Sequence, residues 1–253
     1  MKNIFFKEKK KNGSFKKNLV SLFYAVIAAL LIRSFLYEPF SIPSGSMYPN
    51  LKVGDYLFVS KFSYGFSKHS LPFSIPVIPK RLFSKEPIRG EIVVFKTPED
   101  NRTDYIKRVV GLPGDTLEMK NNVLIINNQK ISTTNKNIEK YKSFNVSKVT
   151  EILPNKLTYE VYEFEETLGG LNTNNFNKIK IPSDHFFVLG DNRDNSQDSR
   201  FIGLIPRENL VGRAEVVMVS FDTEIGSFFK FWTWYPALRK DRFFVSLIPQ
   251  IKE

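Results

Sequence analysis

The strongest feature of the sequence is an apolar run that begins at Leu19, reaches Ile32 and continues past Arg33. A helix that spans a bilayer needs about 20 mostly apolar residues, and a charged side chain near its end can extend to the interface. The run therefore predicts a transmembrane helix over residues 19–37, which Pro39 ends because proline cannot continue a helix. A cleaved signal peptide is the alternative, but bulky and charged residues follow the run where small ones would be needed.

Beyond residue 40, apolar positions alternate with polar ones in short runs separated by turn residues, which is typical of β-strands. Long runs with helical periodicity are absent, so the pattern predicts a mainly β fold with antiparallel sheets. Asn121 and Asn122 separate two of the runs and predict a tight hairpin turn. The predicted strands are Tyr56–Ser60, Glu91–Lys96, Tyr105–Val110, Thr116–Lys120, Val123–Ile126, Thr158–Phe164, His185–Leu189 and Ala214–Ser220.

Composition divides the chain beyond the predicted helix into three regions. Residues 38–126 and 183–222 contain most of the alternating runs and are predicted to form the core β domain. Residues 127–182 are rich in Asn, Lys and Thr and are predicted to form a smaller inserted β subdomain. The tail, residues 223–253, is aromatic and basic. It either covers a satellite core or contacts a membrane, since Trp and Tyr favour the interfacial zone.

The absence of cysteine removes thiol nucleophiles, disulfides and Cys-ligated metals. The chain has two histidines, His69 and His185, so a multi-His metal centre cannot form. We therefore expect no metal and no cofactor, and chemistry based on Ser, Lys, Asp, Glu, Arg or Tyr.

The net charge of +11 is unevenly distributed. The first 17 residues contain seven lysines and one acidic residue, Glu8. Positive charge just before an apolar run holds that end on the cytoplasmic side of a membrane. Residues 1–18 are therefore predicted to be a basic cytoplasmic N-terminus. This interpretation is favoured over a nucleic-acid-binding arm.

The first segment with candidate chemistry is Ile42–Leu51, in which Ser44 and Ser46 flank Gly45 between two prolines. Such a stretch is stiff at its ends and permissive at its centre. It can hold a hydroxyl at a fixed angle with backbone N–H groups nearby. An ordinary linker that leaves the membrane is the simpler interpretation of this segment alone.

The second segment is the predicted strand over residues 104–110. Because side chains alternate along a strand, Lys107 shares a face with Tyr105, and Arg108 shares the other face with Ile106. A basic side chain is thereby directed towards apolar neighbours. Burial disfavours the ammonium form and can convert a lysine into a usable base. A solvated charge on an edge strand is the ordinary alternative.

The third segment, Gly190–Arg200, follows a predicted strand and is rich in Asp, Asn and Arg. Its spacing first suggests a calcium loop that starts at Asp194. Ser199 then stands where that loop needs Gly, and Ile205 where it needs a bidentate Glu. The segment instead indicates a rigid polar loop held by ion pairs and Asx-type turns.

Together the three segments resemble the bacterial type I signal peptidases, which are membrane-bound Ser/Lys proteases. The order of the motifs and the apolar run upstream agree with that family. The resemblance covers roughly residues 33–120 and 185–222. The matching blocks are Pro-Ser-Gly-Ser-Met-x-Pro at 43–49, Gly-Asp at 54–55, Arg-Gly-Glu-Ile-Val-Val-Phe at 89–95, Tyr-Ile-Lys-Arg-Val-Val-Gly-Leu-Pro-Gly-Asp at 105–115 and Gly-Asp-Asn-Arg-Asp-Asn-Ser-x-Asp-Ser-Arg at 190–200.

The resemblance implies a catalytic role for the core β domain. Ser46 would be the nucleophile and Lys107 the general base, with the Ser44 hydroxyl and the Ser46 backbone N–H as the oxyanion hole. The residues that would support this dyad are Ser196, through a hydrogen bond to Lys107, and Asp198, Arg200 and Arg108. The residues that would line shallow pockets for small side chains are Phe40, Ile42, Met47, Leu51, Val94, Tyr105 and Ile106.

The resemblance also implies an activity and a location. The chain would remove signal peptides from exported preproteins after an Ala-x-Ala site, through an acyl-enzyme. It would lie in the bacterial cytoplasmic membrane, in contact with lipid but not with nucleic acid, with the catalytic domain on the outer face. Asn50 stands where the family usually has Thr, and one span precedes the catalytic block where some members have two. Neither departure is expected to alter the dyad.

Three other functions are compatible with parts of the sequence. A membrane-tethered β scaffold would bind a partner without catalysis. A basic nucleic-acid binder would bind in a salt-dependent way, but its charge cluster lies on the wrong side of the anchor. The self-cleaving repressors share Ser/Lys chemistry, but they are soluble and carry a DNA-binding domain that is absent here.

Overall fold

The computed structural model describes residues 12–165, 174–226 and 231–249. Its first element is a long helix, α1, at Asn12–Phe35. The part from Phe15 to Phe35 has a mean hydropathy of 1.8 and is long and apolar enough to cross a membrane. Only 6% of its most apolar stretch is buried against the rest of the chain, so its apolar side chains face outward.

The ends of α1 differ from the sequence prediction of residues 19–37. The helix includes residues 12–18, which were assigned to the basic N-terminus, and it ends at Phe35 rather than at Pro39. Residues 37–41 form an edge strand that pairs with the strand at residues 55–60. Proline is compatible with an edge strand because its missing N–H can face away from the neighbour. Strand pairing, not Pro39, therefore ends the helix.

The strands form three antiparallel sheets, apart from an isolated parallel bridge between Tyr162 and Asn192. The strands are β1 Tyr37–Ser41, β2 Asp55–Ser60, β3 Ile92–Lys96, β4 Asp104–Gly111, β5 Thr116–Lys120, β6 Val123–Ile126, β7 Gln129–Lys130, β8 Ser132–Tyr141, β9 Phe144–Ile152, β10 Thr158–Phe164, β11 Phe176–Lys180, β12 His185–Leu189, β13 Ile205–Pro206, β14 Leu210–Ser220 and β15 Val245–Ser246. The described residues also contain two short α-helices, α2 Ser199–Ile202 and α3 Trp234–Ala237, and short 3-10 turns.

The largest sheet has the order β1-β2-β14-β3-β4-β12-β13, and β15 pairs with β14. A second sheet has the order β10-β9-β8, and a third has the order β11-β5-β6-β7. The predicted mainly β, antiparallel fold is confirmed, and each of the eight predicted strands is present. The predicted hairpin is also confirmed, because Asn121 and Asn122 have φ values of 50° and 65° between β5 and β6.

The grouping of strands into sheets differs from the predicted division of the chain after residue 126. The sequence prediction places residues 116–126 in the core domain, whereas β5 and β6 belong to the four-stranded sheet. Gly114, with a φ of 87°, turns the chain out of the large sheet after β4. Part of the hydrophobic core of the inserted strands is shared with the large sheet. Leu117 and Val161 share one hydrophobic cluster with Val110 and Leu189 of the large sheet.

The described part of the C-terminal region is integrated into the fold rather than being a separate tail. β15 extends the large sheet, and Leu247 packs against a hydrophobic cluster of that sheet. The guanidinium of Arg242 is buried and donates two hydrogen bonds to Asp55, at 2.9 and 2.5 Å. Part of the aromatic run lies outside the described residues. Of the rest, Trp232 and Tyr235 are exposed, and membrane contact stays a prediction.

Candidate active site

The turn that carries Ser46 follows β1 and is held from one side by Asn192. The backbone N–H of Asn192 donates to the Ser46 carbonyl at 3.1 Å, and its side-chain amide donates to the Gly45 carbonyl at 3.0 Å. Ser46 is 8% exposed. The hydroxyl oxygens of Ser44 and Ser46 lie 3.4 Å apart, so both point to the same small region.

Lys107 lies on β4, in the interior of the large sheet, where it pairs with Val93 of β3. Its Nζ donates to Ser46 Oγ at 2.8 Å and to the Ile106 carbonyl at 2.8 Å. Only 4% of the residue is exposed. Burial lowers the pKa of Lys107 from 10.5 to about 8, against the opposing attraction of the Asp198 and Asp191 carboxylates. A substantial fraction of this lysine is therefore neutral at mildly alkaline pH.

Arg108 lies on the opposite face of β4, as the strand alternation predicts. Its guanidinium forms a bidentate salt bridge with Asp191, with both N–O distances at 2.7 Å, and donates a hydrogen bond to the Gly90 carbonyl at 2.7 Å. The guanidinium carbon also lies 4.2 Å from the ring centre of Tyr159. Because Asp191 belongs to the loop that contains Asn192, Arg108 fixes the loop that holds the Ser46 turn.

Asp198 and Arg200 close the other end of this loop. The Asp198 carboxylate accepts the Gly190 N–H at 3.0 Å and two guanidinium hydrogen bonds from Arg200, both at 2.8 Å. Arg200 also donates to the Arg193 carbonyl at 2.5 Å. Asp198 is fully buried, so each of its hydrogen bonds acts in a low-dielectric environment.

Ser196 reaches the site but does not make the expected hydrogen bond to Lys107. Its Oγ is buried and has no hydrogen-bond partner. The ammonium of Lys107 donates to Ser46 and to the Ile106 carbonyl instead. The Ser196 hydroxyl packs against Gly190, where a Cβ atom would overlap it.

A cavity of about 500 Å³ opens beside Ser46 and Lys107. Of the seven predicted pocket residues, Tyr105 and Ile106 line it. The other five do not line it and belong to, or pack against, a hydrophobic cluster that Ile106 also contacts; these are Phe40, Ile42, Met47, Leu51 and Val94. Met47 and Leu51 have no exposed surface at all.

The inserted subdomain contributes residues that sequence reasoning did not identify. Glu151 forms a buried, two-pronged pair with Arg193 of the loop, at 2.5 and 2.6 Å. The hydroxyl of Tyr159 donates to Glu151 at 2.6 Å. Tyr141 packs against the Ser46 turn at Gly45. The sequence around these residues is polar and lacks a motif, so these contacts across the fold had no local signal.

Asn50 has a larger structural role than the sequence suggested. Its side-chain amide donates to Asp191 at 2.8 Å and to the Glu160 carbonyl at 2.7 Å. It therefore joins the Ser46 segment to the loop and to β10 of the inserted subdomain.

Neither histidine lines the cavity beside Ser46. His185 is a surface residue whose Nδ1 lies 2.9 Å from the Ser183 carbonyl. His69 is buried next to Ser74, and burial, aided by nearby cations, lowers its pKa to about 4. Within residues 12–165, 174–226 and 231–249, no group of three or more His, Asp or Glu side chains could hold a metal ion.

Comparison with known proteins identifies relatives along nearly the whole chain. The family model described as signal peptidase, peptidase S26, matches residues 15–219. A signal peptidase I of Rickettsia typhi is 36% identical over 255 residues, which cover 94% of this chain and 96% of that protein. A signal peptidase I of Rickettsia felis is 37% identical over 253 residues, 93% of this chain and 94% of that protein. A crystal structure of a signal peptidase I from Enterococcus faecalis is 27% identical, with a TM-score of 0.32 over 51% of this chain and 97% of that chain.

Proposed function

The chain belongs to the signal peptidase family, peptidase S26, and from that premise we propose that it removes signal peptides from preproteins with Ser46 as nucleophile and Lys107 as general base. Family membership makes it a serine endopeptidase. The observation that carries the dyad is the 2.8 Å contact between Lys107 Nζ and Ser46 Oγ in a buried setting. This distance permits direct proton transfer, which a nucleophile and its base require.

The proposed reaction proceeds through an ester intermediate. Neutral Lys107 accepts the Ser46 hydroxyl proton while Ser46 Oγ attacks the carbonyl carbon of the scissile peptide. The resulting oxyanion accepts hydrogen bonds from the Ser44 hydroxyl and the Ser46 N–H, and one such donor is typically worth about 2.7–4 kcal/mol. The Lys107 ammonium returns the proton to the leaving amine. Lys107 then deprotonates the water that hydrolyses the ester.

The supporting residues contribute to this reaction by keeping the loop at residues 190–200 rigid. Arg108 binds the start of the loop at residues 190–200 through a buried ion pair with Asp191. Asp198 joins the two ends of the loop by accepting hydrogen bonds from the Gly190 N–H and the Arg200 guanidinium. A loop held in this way keeps Asn192 against the Ser46 turn during the reaction. The carboxylates of Asp198 and Asp191 also moderate the pKa of Lys107, because negative charge favours the ammonium.

The proposed specificity is for small residues before the cut, as in Ala-x-Ala. The support is the relatives' description as signal peptidase I and the side chains of Tyr105 and Ile106 at the cavity wall. The pocket roles of the other five residues stay predictions, because substrate binding would have to make their side chains accessible; these are Phe40, Ile42, Met47, Leu51 and Val94.

We propose that α1 anchors the enzyme in the cytoplasmic membrane, with the lysine-rich N-terminus inside and the catalytic domain on the outer face. The apolar helix and the basic residues before it support this orientation. An anchored enzyme meets an anchored substrate at a raised effective concentration. The same orientation separates the basic N-terminus from the catalytic domain, so the positive charge does not imply nucleic acid as a partner.

The pH dependence tests the identity of the base. Only neutral Lys107 accepts a proton, and its neutral fraction rises as the pH rises through about 8. We therefore expect kcat/KM for a signal-peptide substrate to increase about tenfold per pH unit well below 8 and to level off above it. The measurement is a kcat/KM profile from pH 5 to 10 in detergent.

The control for this pH profile is the substitution of His185. The ordinary pKa of histidine is about 6.5. A limb near that value that disappears in His185→Ala would assign the base to histidine and refute the role of Lys107.

A further inference from the structure

The inserted subdomain reaches the Ser46 turn through Tyr141. This residue ends β8, and it pairs with Phe144 across the turn into β9. Its ring lies 4.9 Å from the ring of Tyr48 and 6.0 Å from the ring of Tyr162, measured between centroids. The residue is 7% exposed, so the end of β8 is packed against the catalytic domain through its ring.

The hydroxyl of Tyr141 occupies the space beside the α-carbon of Gly45. A Cβ atom added to Gly45 would overlap this hydroxyl oxygen. The next nearest atoms are Cζ of Tyr141 at 3.2 Å and Cδ2 of Tyr48 at 3.4 Å. Gly45 is not among the described glycines with positive φ, so its backbone conformation is open to alanine. The tyrosine hydroxyl is therefore what excludes a side chain at this position.

The opposite side of the turn is held by the loop at residues 190–200. Asn192 donates to the carbonyls of Gly45 and Ser46, and the Asn195 amide donates to the Tyr141 hydroxyl at 3.4 Å. The residue between the two serines thus lies between a tyrosine from the inserted subdomain and an asparagine from the catalytic loop. Burial raises the pKa of Tyr141, so its hydroxyl stays protonated at the pH of the assay.

We propose that Tyr141 is a positioning residue that sets the angle of Ser46 towards Lys107 by holding Gly45 in place. The proposal rests on the proposed function, because Ser46 is its target. Through Tyr141 the inserted subdomain would affect catalysis without contacting the reacting atoms. Misplacing a reacting group by about 1 Å can cost roughly 100-fold in rate. Small displacements of Gly45 are therefore expected to lower the rate of cleavage.

The test compares Gly45→Ala, Tyr141→Phe and the double variant with wild type. We expect Gly45→Ala to lower kcat about 100-fold. Tyr141→Phe loses the hydroxyl contact but keeps the ring, and we expect kcat to fall about 3–10-fold with KM unchanged. Removing the hydroxyl also makes room for the new methyl group. The double variant should therefore recover to the activity of Tyr141→Phe.

The matched control is Tyr162→Phe. Tyr162 belongs to the same aromatic cluster, but its hydroxyl donates to Glu139 at 2.8 Å and does not contact the turn. We expect its kcat to stay within twofold of wild type, and we expect no rescue when it is combined with Gly45→Ala. Equal activity of Gly45→Ala and wild type, or a double variant no better than Gly45→Ala, would overturn the proposal.

Thermal unfolding of wild type, Gly45→Ala, Tyr141→Phe and their double variant in detergent separates this proposal from the proposed function. The clash predicts a lower Tm for Gly45→Ala and recovery of the Tm in the double variant, whether or not the wild type cleaves preproteins. An inactive wild type with this pattern of Tm values would refute the proposed function and support the contact. An unchanged Tm in Gly45→Ala would refute the contact.

Discussion

Replacing Lys107 with methionine is expected to abolish peptide cleavage and to raise the stability of the protein at neutral pH. Cleavage is lost because no other base contacts Ser46 Oγ among the described residues, and removing a dyad member typically costs at least 1,000-fold, about 4 kcal/mol, in rate. Stability rises because the wild type keeps a buried ammonium at pH 7. A pKa lowered from 10.5 to about 8 corresponds to a cost on the order of 3 kcal/mol.

The size of this gain in stability depends on pH. Below pH 8 the lysine is protonated in both the folded and the unfolded chain, so the whole cost of burial is present. Between about 8 and 10.5 the folded chain has lost the proton and the unfolded chain still holds it, so the stability of the wild type rises with pH. The advantage of Lys107→Met should therefore be largest at pH 7 and small above pH 10.

Unfolding curves in detergent at pH 7 and pH 10, together with the cleavage rate, measure both effects. After the lost hydrogen bonds are counted, we expect a net gain of about 1–3 kcal/mol at pH 7. Lys61→Met is the matched control, since Lys61 is also buried but pairs with Glu38 at 2.6 Å, away from Ser46. It should keep activity and should not gain stability. Turnover by Lys107→Met, or a loss of stability at pH 7, would contradict this account of the lysine.

Replacing Glu151 with alanine is expected to destabilise the fold by about 3–5 kcal/mol, because it leaves a buried guanidinium without its counter-charge. Arg193 and Glu151 are 3% and 2% exposed at their side chains. The Tyr159 hydroxyl would lose its acceptor as well. Arg193 follows Asn192 in the loop, and its carbonyl accepts a hydrogen bond from Arg200. We therefore also expect cleavage to slow.

Two further variants test whether the loss of the buried ion pair causes the loss of stability. Lys148→Ala removes a more exposed ion-pair partner from the same strand, β9, and should cost less than about 1 kcal/mol. Glu151→Leu combined with Arg193→Met replaces the buried pair with apolar groups and should recover most of the stability. The measurement is the free energy of unfolding by denaturant. Equal values for Glu151→Ala and Lys148→Ala would show that the buried pair contributes nothing.

The strands that the sequence predicted share a clear alternation and a turn residue at each end. β8 and β11 were missed because their exposed positions are occupied by Asn, Lys and Thr, so no apolar period marks them. β1 was missed because the apolar run of α1 continues past Arg33 and no turn residue separates the helix from the strand. Its pairing with β2 sets the boundary, and pairing is a property of the tertiary structure.

The contact between Lys107 Nζ and Ser46 Oγ could be anticipated because the residues around Ser46 and Lys107 form distinctive local motifs. Strand alternation also placed Lys107 and Arg108 on opposite faces. The hydroxyl direction of Ser196 could not be anticipated, because it depends on how Gly190 packs. The contact of Tyr141 with Gly45 joins distant parts of the chain and has no local pattern at all.

The most direct test of the central claim is cleavage of a preprotein by the full-length chain in detergent, with the new N-terminus identified by mass spectrometry. The account predicts one cut just after an Ala-x-Ala site. The cut should be absent with Ser46→Ala and Lys107→Ala and unchanged with His185→Ala or a metal chelator. Cleavage that persists in Ser46→Ala would contradict the Ser46–Lys107 mechanism. A wild type that cuts none of several preproteins would also contradict it, and would favour a membrane-tethered scaffold without catalysis.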